Sequence, residues 1–216
     1  MSVTVHGTPG HSLTQSGAVK YGSASRRGAF HERQVAQALQ QWLTVRPDHF
    51  HLFHDLGGFG DVTGGSKGVL NLGGSNIDHV VLGGTTWLII DAKGCGAGVL
   101  GLDPDSNGIL TRTDGSTLPQ QWLDDGRAYS RAGIIYRLTD ATAGQTAWIV
   151  PDTTLLHPDV CAARCQKKGG IILPMRAITD GHFDHHFLQP QPAANPAHVD
   201  RLAARVSSPE ERTNLP

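Results

Sequence analysis

Residues 76–93 constrain the fold of this chain more than any other segment. Two short polar strings, at 76–79 and 91–93, flank an apolar run rich in β-branched residues and interrupted by Gly83-Gly84. A Gly-Gly pair between such runs predicts a strand, a tight turn and a second strand. If the turn is centred after Gly84, Asp78 lies opposite Asp91. Lys93 is two residues beyond Asp91 and therefore shares its sheet face.

Two opposed carboxylates at one end of a hairpin need a compensating charge, because like charges facing each other destabilise a sheet. A divalent cation such as Mg²⁺ binds carboxylates and keeps waters of its own. The cation lowers the pKa of a bound water and polarises a phosphoryl oxygen, and a nearby Lys can hold that water. Asp78, Asp91 and Lys93 are thus a sufficient set for phosphodiester hydrolysis. The alternative is a structural ion pair in which Lys93 neutralises one of the two carboxylates.

The order Asp, strand, turn, strand, acid-x-Lys resembles the PD-(D/E)xK nuclease superfamily. Within it, the chain is most similar to the nuclease-related domain, NERD. The similar segments are Gly28-Ala29-Phe30-His31-Glu32 in an early helix, Asn76-Ile77-Asp78-His79-Val80-Val81, Leu88-Ile89-Ile90-Asp91-Ala92-Lys93, and Pro119-Gln120-Gln121 after a second hairpin. Ile77 stands where the superfamily often has Pro, and Asp91 where Glu is more usual. The resemblance spans residues 26–175.

The resemblance implies an α/β fold with a restriction-endonuclease-like core, in which a mixed central β-sheet is flanked by helices. It also implies that Asp78 and Asp91 hold Mg²⁺ or Mn²⁺, with the Ala92 carbonyl as a further ligand, and that Lys93 positions the attacking water. DNA is the expected substrate on the same grounds. Either Gln120 or Gln121 is expected near the site.

Two helices carry further candidate residues. In the predicted helix 27–45, Glu32 lies on the same face as the apolar residues at 35, 38, 39 and 42. Glu32 is therefore either an additional metal or water ligand, or a solvated acid that favours the helix dipole. In the predicted helix 121–138, Arg127 and Arg131 share a face. They either contact DNA phosphates or form a solvated surface.

Histidine and cysteine clusters suggest a zinc enzyme as a rival interpretation. Cys161 and Cys165 are four residues apart, and the third cysteine, Cys95, stands alone. Histidines at 49, 51 and 54 precede Asp55, and another group lies at 182–186. None of these groups has the spacing that defines a zinc motif. The odd cysteine count is typical of a reducing compartment.

Length and composition predict one domain with tails. The 216 residues divide into a flexible leader at 1–25, a nuclease-like α/β domain at 26–188, and a Pro-rich linker with a C-terminal tail at 189–216. The net charge of −1 provides no global attraction for nucleic acid, so DNA binding needs a local basic face. No signal peptide or apolar run of membrane-spanning length is present, which predicts a cytoplasmic protein without membrane contact.

The sequence therefore predicts a Mg²⁺- or Mn²⁺-dependent endodeoxyribonuclease. The alternative is a catalytically silent nucleic-acid-binding or protein-binding module on the same fold. A homodimer or a partner protein is compatible with both.

Overall fold

The computed structural model describes residues 3–13, 23–59, 76–123, 127–141, 143–161, 169–187 and 190–206. In chain order, the elements are β1 (Val3–His6), α1 (Ser23–Thr44), β2 (Phe50–Leu56), β3 (Ile77–Gly83), β4 (Thr86–Ala92), β5 (Gly98–Leu102), β6 (Gly108–Thr111), β7 (Thr117–Pro119), α2 (Arg127–Thr139), β8 (Ala143–Val150), β9 (Thr154–Leu156), β10 (Gly170–Pro174), α3 (Arg176–Thr179) and α4 (Pro196–Ala203). Short 3₁₀ helices occupy Gln121–Leu123 and Asp184–Phe187.

Two β-sheets organise these elements. The larger has six strands in the order β1-β2-β3-β4-β8-β10, and the smaller has four in the order β7-β6-β5-β9. In the larger sheet, β2, β3 and β4 are antiparallel neighbours, whereas β1, β8 and β10 each pair in parallel. The predicted α/β architecture with a mixed central sheet flanked by helices is confirmed.

The hairpin of β3 and β4 has the predicted register. Gly83 pairs with Thr86 and His79 with Ile90, so the turn is centred after Gly84. Gly84 has φ of +58°, a conformation that glycine adopts at no steric cost. The ladder ends at the pair of His79 and Ile90, one step before Asp78 and Asp91 would pair. The two strands therefore separate where the candidate residues lie.

Apolar side chains cover both faces of the larger sheet. On one face, Leu39 and Trp42 of α1 pack with Leu88 and Ile90 of β4. On the other, α2 and α4 pack against a second set of strand residues: Phe53, Val80, Leu82 and Ile89 from the strands meet Ile134, Ile135, Leu138 and Leu202 from the helices. The sheet is thus buried between helical layers, as its nearly continuous apolar strands require.

Both predicted tails require correction. Val3–His6, expected within a flexible leader at 1–25, is instead an edge strand parallel to β2. In the predicted tail at 189–216, α4 buries Leu202 completely in the core. The four residues Val3–His6 are too few to show a periodicity, yet they add hydrogen bonds to an existing sheet. The remaining predicted tail residues, 207–216, lie outside the described part of the chain.

The predicted helix 121–138 is also shorter than expected. A 3₁₀ turn at Gln121–Leu123 precedes α2, which begins at Arg127. On α2, Ile134 and Ile135 are buried in the core, whereas Tyr129 and Tyr136 are exposed. Within the described ranges, no helix combines the length and the apolar character needed to cross a bilayer.

Candidate active site

Acidic and basic side chains meet where β3 and β4 separate. The carboxylate of Asp78 accepts a hydrogen bond of 2.7 Å from the Ala92 backbone N–H, which continues the strand contact beyond the last ladder pair. Lys93 Nζ lies 2.8 Å from Asp91 Oδ2. A side-chain hydrogen bond joins Asp78 to Asp91. The structure thus brings together the three residues that the hairpin pattern predicted.

Glu32 reaches the same region from α1. Its side chain is only 6% exposed, so it lies on the inward face of the helix, as predicted. The Gly10 N–H donates a hydrogen bond to its carboxylate. The start of α1 also contacts the segment after β4, since a Cβ on Gly94 would lie 3.4 Å from the Gly28 Cα. The first turns of α1 therefore pack directly against the loop that follows β4.

Two of these three carboxyl groups have a raised pKa, and the third has a lowered pKa. Burial, followed by the charges of Asp91 and Glu32, raises the pKa of Asp78 well above its usual range. Burial and then the charge of Asp55 raise the pKa of Glu32 to about 7. Burial also acts to raise the pKa of Asp91, but the charges of Arg131 and Lys93 outweigh it and lower that pKa. These shifts favour an ionised Asp91 that accepts a hydrogen bond from a protonated Asp78.

The structure assigns Arg131 a different role from the predicted one. Its side chain is only 4% exposed, and its Nη1 atom lies 3.1 Å from Asp91 Oδ2. Neither a phosphate contact nor a solvated surface is compatible with that burial. Helical spacing placed Arg131 correctly on α2 but could not show which face of α2 covers the sheet. The side chain of Arg127, its predicted companion, lies outside the described residues.

The predicted structural ion pair between Lys93 and Asp91 is present. It does not account for the whole cluster, because the pKa values of Asp78 and Glu32 remain raised despite the positive charge of Lys93. The buried carboxyl group of Glu32 and the half-buried one of Asp78 are therefore held close to Asp91 without sufficient positive charge to keep them ionised. Such an excess of negative charge is typical of sites that hold a proton or a cation.

A polar cavity of about 380 Å³ opens beside this cluster. Lys93 and Gln120 line it, together with Arg27, Arg112 and Trp122. Gln120, one of the two glutamines predicted near the site, thus faces the cavity. Gln121, the other, begins the 3₁₀ turn and is exposed. The sequence interpretation did not single out Trp122 or Arg112 as site residues, because nothing local marks them as neighbours of Lys93.

The histidine clusters form pairs rather than a metal site. His54 Nδ1 lies 2.9 Å from His79 Nδ1 in the core, and His6 Nε2 lies 3.1 Å from His51 Nδ1. Burial lowers the pKa of His54 and of His51 to about 4, so both rings are neutral near neutral pH. In the described part of the chain, no group of three or more His, Cys, Asp or Glu side chains is arranged to hold a metal ion.

The cysteine hypothesis stays a prediction, because Cys165 lies outside the described residues. The side chain of Cys161 is half-buried. Comparison of the chain with family models, with curated proteins and with solved structures gives no match.

Proposed function

We propose that this chain is a metal-dependent nuclease that hydrolyses DNA phosphodiester bonds, with a site of the PD-(D/E)xK type and the NERD pattern. One observation carries the proposal. Asp78 and Asp91 lie together with Lys93 at the end of a hairpin, beside a basic cavity, and Glu32 approaches them from α1. Two carboxylates, a Lys and a nearby acid that can accept a proton are the protein groups that this hydrolysis needs.

The architecture supports a restriction-endonuclease-like core. The antiparallel strands β2, β3 and β4 carry the acidic residues, and β4 is followed by a crossover through α2 to the parallel strand β8. Helix α1 covers one face of this sheet and contributes Glu32. The site lies at the edge where the strands of the hairpin end, so substrate has access from outside the sheet.

The donor chemistry fits Mg²⁺ or Mn²⁺. Both are hard cations that prefer carboxylate and carbonyl oxygens, which Asp78, Asp91 and the Ala92 carbonyl would supply. The raised pKa of Asp78 arises from burial and from neighbouring carboxylates, a repulsion that a divalent cation relieves. A cation held there would polarise a phosphoryl oxygen of the substrate and lower the pKa of a bound water.

The protein groups around that position have separate tasks. Lys93 orients the attacking water and offsets negative charge as the phosphoryl group is attacked. Glu32, with a pKa of about 7, is suited to accept the proton of the water near neutral pH. Arg131 keeps Asp91 ionised and fixed in position from its buried place on α2. Arg131 is therefore a positioning residue rather than a catalytic one.

A catalytically silent module on the same fold is the second candidate. The observation in its favour is that Asp91 Oδ2 pairs with both Lys93 and Arg131. A metal would have to bind this oxygen, but the charged side chains of Lys93 and Arg131 already neutralise it. A silent module gains no stability from millimolar Mg²⁺, whereas a working site does, because a ligand that binds only the folded state stabilises it.

The test combines cleavage with thermal stability. Supercoiled, linear and single-stranded DNA are incubated with Mg²⁺ or Mn²⁺ and either the wild-type protein, Lys93→Ala or Asp91→Asn. Asp105→Asn is the matched control, because Asp105 is exposed in the β5–β6 turn. We expect cleavage by wild type and Asp105→Asn, and its loss in the two site variants with unchanged circular dichroism.

Metal binding is measured on the same proteins. If the Kd for Mg²⁺ is about 1 mM, a concentration of about 10 mM stabilises the wild type by roughly 1.4 kcal/mol. Asp91→Asn should lose that gain and Asp105→Asn should keep it. Absence of both cleavage and metal-dependent stabilisation in the wild type would overturn the nuclease proposal in favour of the silent module.

A further inference from the structure

The cavity next to Lys93 has a chemical character of its own. Arg27 and Arg112 are exposed at its border, and Trp122 forms part of its wall. The Lys93 ammonium lies 5.9 Å from the centre of the Trp122 ring. An aromatic surface, two arginines and the ammonium of the candidate active site thus surround one space.

The Trp122 ring is held in position by its neighbours. Its indole N–H donates a hydrogen bond of 3.0 Å to Gln120 Oε1. On the inner side, the ring lies 6.3 Å from that of Trp148, which belongs to β8. Gln120 is anchored through its backbone N–H, which donates to the Gly108 carbonyl. The ring is therefore preorganised by the smaller sheet rather than free to turn in solvent.

The volume of the cavity limits what it can accept. About 380 Å³ lies at the lower end of the range of roughly 300–1,000 Å³ typical of small-ligand sites. A base in an intact duplex is stacked and paired, so it would have to be extruded before it could enter such a space. An unpaired nucleotide can enter without that cost and presents its flat face for stacking.

We propose that this cavity is a subsite for one unpaired nucleotide of a DNA strand, whose base stacks on Trp122 while Arg27 and Arg112 contact the adjacent phosphates. This inference rests on the proposed nuclease function and deepens it. Because Lys93 lines the same cavity, the bound nucleotide lies next to the residues that would cleave the strand. The substrate class is therefore single-stranded DNA, including ends and displaced strands, rather than uninterrupted duplex.

Binding without hydrolysis provides the test. A fluorescein-labelled oligothymidylate of eight nucleotides and a blunt hairpin duplex are titrated with the full-length protein in EDTA, with fluorescence anisotropy as the readout. We expect the single strand to bind at least about fivefold more tightly than the duplex. Trp122→Ala should weaken single-strand binding by about 5- to 150-fold, the usual effect of removing one stacking partner. Trp122→Phe should retain most of the affinity.

The arginines are tested through the salt dependence. Each phosphate contact to a single strand contributes about −0.7 to the slope of log K against log salt concentration. Arg112→Gln and Arg27→Gln should each make the slope less negative by about that amount. The control is Arg176→Gln, since Arg176 is exposed beside Asp152 in a different cavity. That variant should leave the slope unchanged.

The outcomes separate this inference from the proposed function. Equal affinity for strand and duplex, or equal affinity in wild type and a folded Trp122→Ala, overturns the subsite even if the protein cleaves DNA. Strand binding that depends on Trp122 and Arg112 supports the subsite even if no cleavage occurs. If Trp122→Ala does not fold, the salt dependence of Arg112→Gln decides: a slope less negative by about 0.7 supports the subsite, and an unchanged slope overturns it.

Discussion

The buried carboxyl group of Glu32 makes a quantitative prediction for Glu32→Gln. Folded Glu32 keeps its proton up to about pH 7, whereas the unfolded chain releases it near the ordinary value of 4.5. Between these values the folded state binds more protons, so the free energy of unfolding falls as the pH rises. Gln at position 32 keeps the shape and the capacity to accept the Gly10 N–H, but it does not titrate.

The magnitude follows from the pKa difference. The interval from 4.5 to about 7 corresponds to roughly 3 kcal/mol of unfolding free energy. Without metal, Glu32→Gln should therefore match the wild type near pH 4.5 and exceed it by roughly 3 kcal/mol at about pH 8.5. For a chain of this size, such a difference raises Tm by about 6–12 °C. Ionisation of Glu32 thus destabilises the metal-free fold above neutral pH. A cation bound near Glu32 would compensate for this cost.

Urea unfolding in EDTA at several values of pH measures this difference directly. Asp105→Asn serves as the control, because it replaces an exposed acid and should give a difference from wild type that does not vary with pH. The reasoning is refuted if Glu32→Gln gives a pH-independent difference, or if it is less stable than the wild type at about pH 8.5. Repeating the titration with Mg²⁺ should reduce the stability difference between the two proteins, because a nearby cation favours the ionised form of Glu32 in the wild type.

Three further predictions concern the residues around this group. Arg131→Leu leaves Asp91 buried without the Arg131 guanidinium and should lower the free energy of unfolding by about 3–5 kcal/mol in a urea titration. A change below about 1 kcal/mol would show that this ion pair is not buried in solution. Lys93→Ala should reduce DNA cleavage by about 10²- to 10³-fold at full saturation, and unchanged turnover would remove Lys93 from the proposed mechanism. Leu88→Ala opens a cavity in the α1 side of the core and should cost about 2–5 kcal/mol, whereas a loss confined to cleavage would contradict its place in the core.

The hairpin was predictable because its determinants are local. Nearly continuous apolar runs with β-branched residues, and a glycine that adopts positive φ at the turn, define both strands and their register. The same local logic placed Glu32 on the inward face of α1, since a helical period needs only neighbouring residues. Asp78, Asp91, Lys93 and Glu32 could therefore be named from the sequence and are brought together in the structure.

Other features depend on contacts between distant segments. Val3–His6 has too few residues to show a period, and it becomes a strand only because β2 offers an open edge. Arg131 carries the same helical signal whether it faces solvent or the sheet. The packing of α2 against the sheet decides that it neutralises Asp91 instead of contacting a phosphate.

The sequence by itself thus determined the α/β class, the register of the hairpin and the identity of the acidic residues with their Lys. Only the tertiary structure decided the charge balance of the cluster and the cavity beside it. The physical reason is distance along the chain: a pKa depends on burial and on every nearby charge, and Trp122, Arg27 and Arg112 come to Lys93 from three separate segments. Periodicity reports on neighbours within a few residues, whereas a site is an arrangement of segments that meet only after folding.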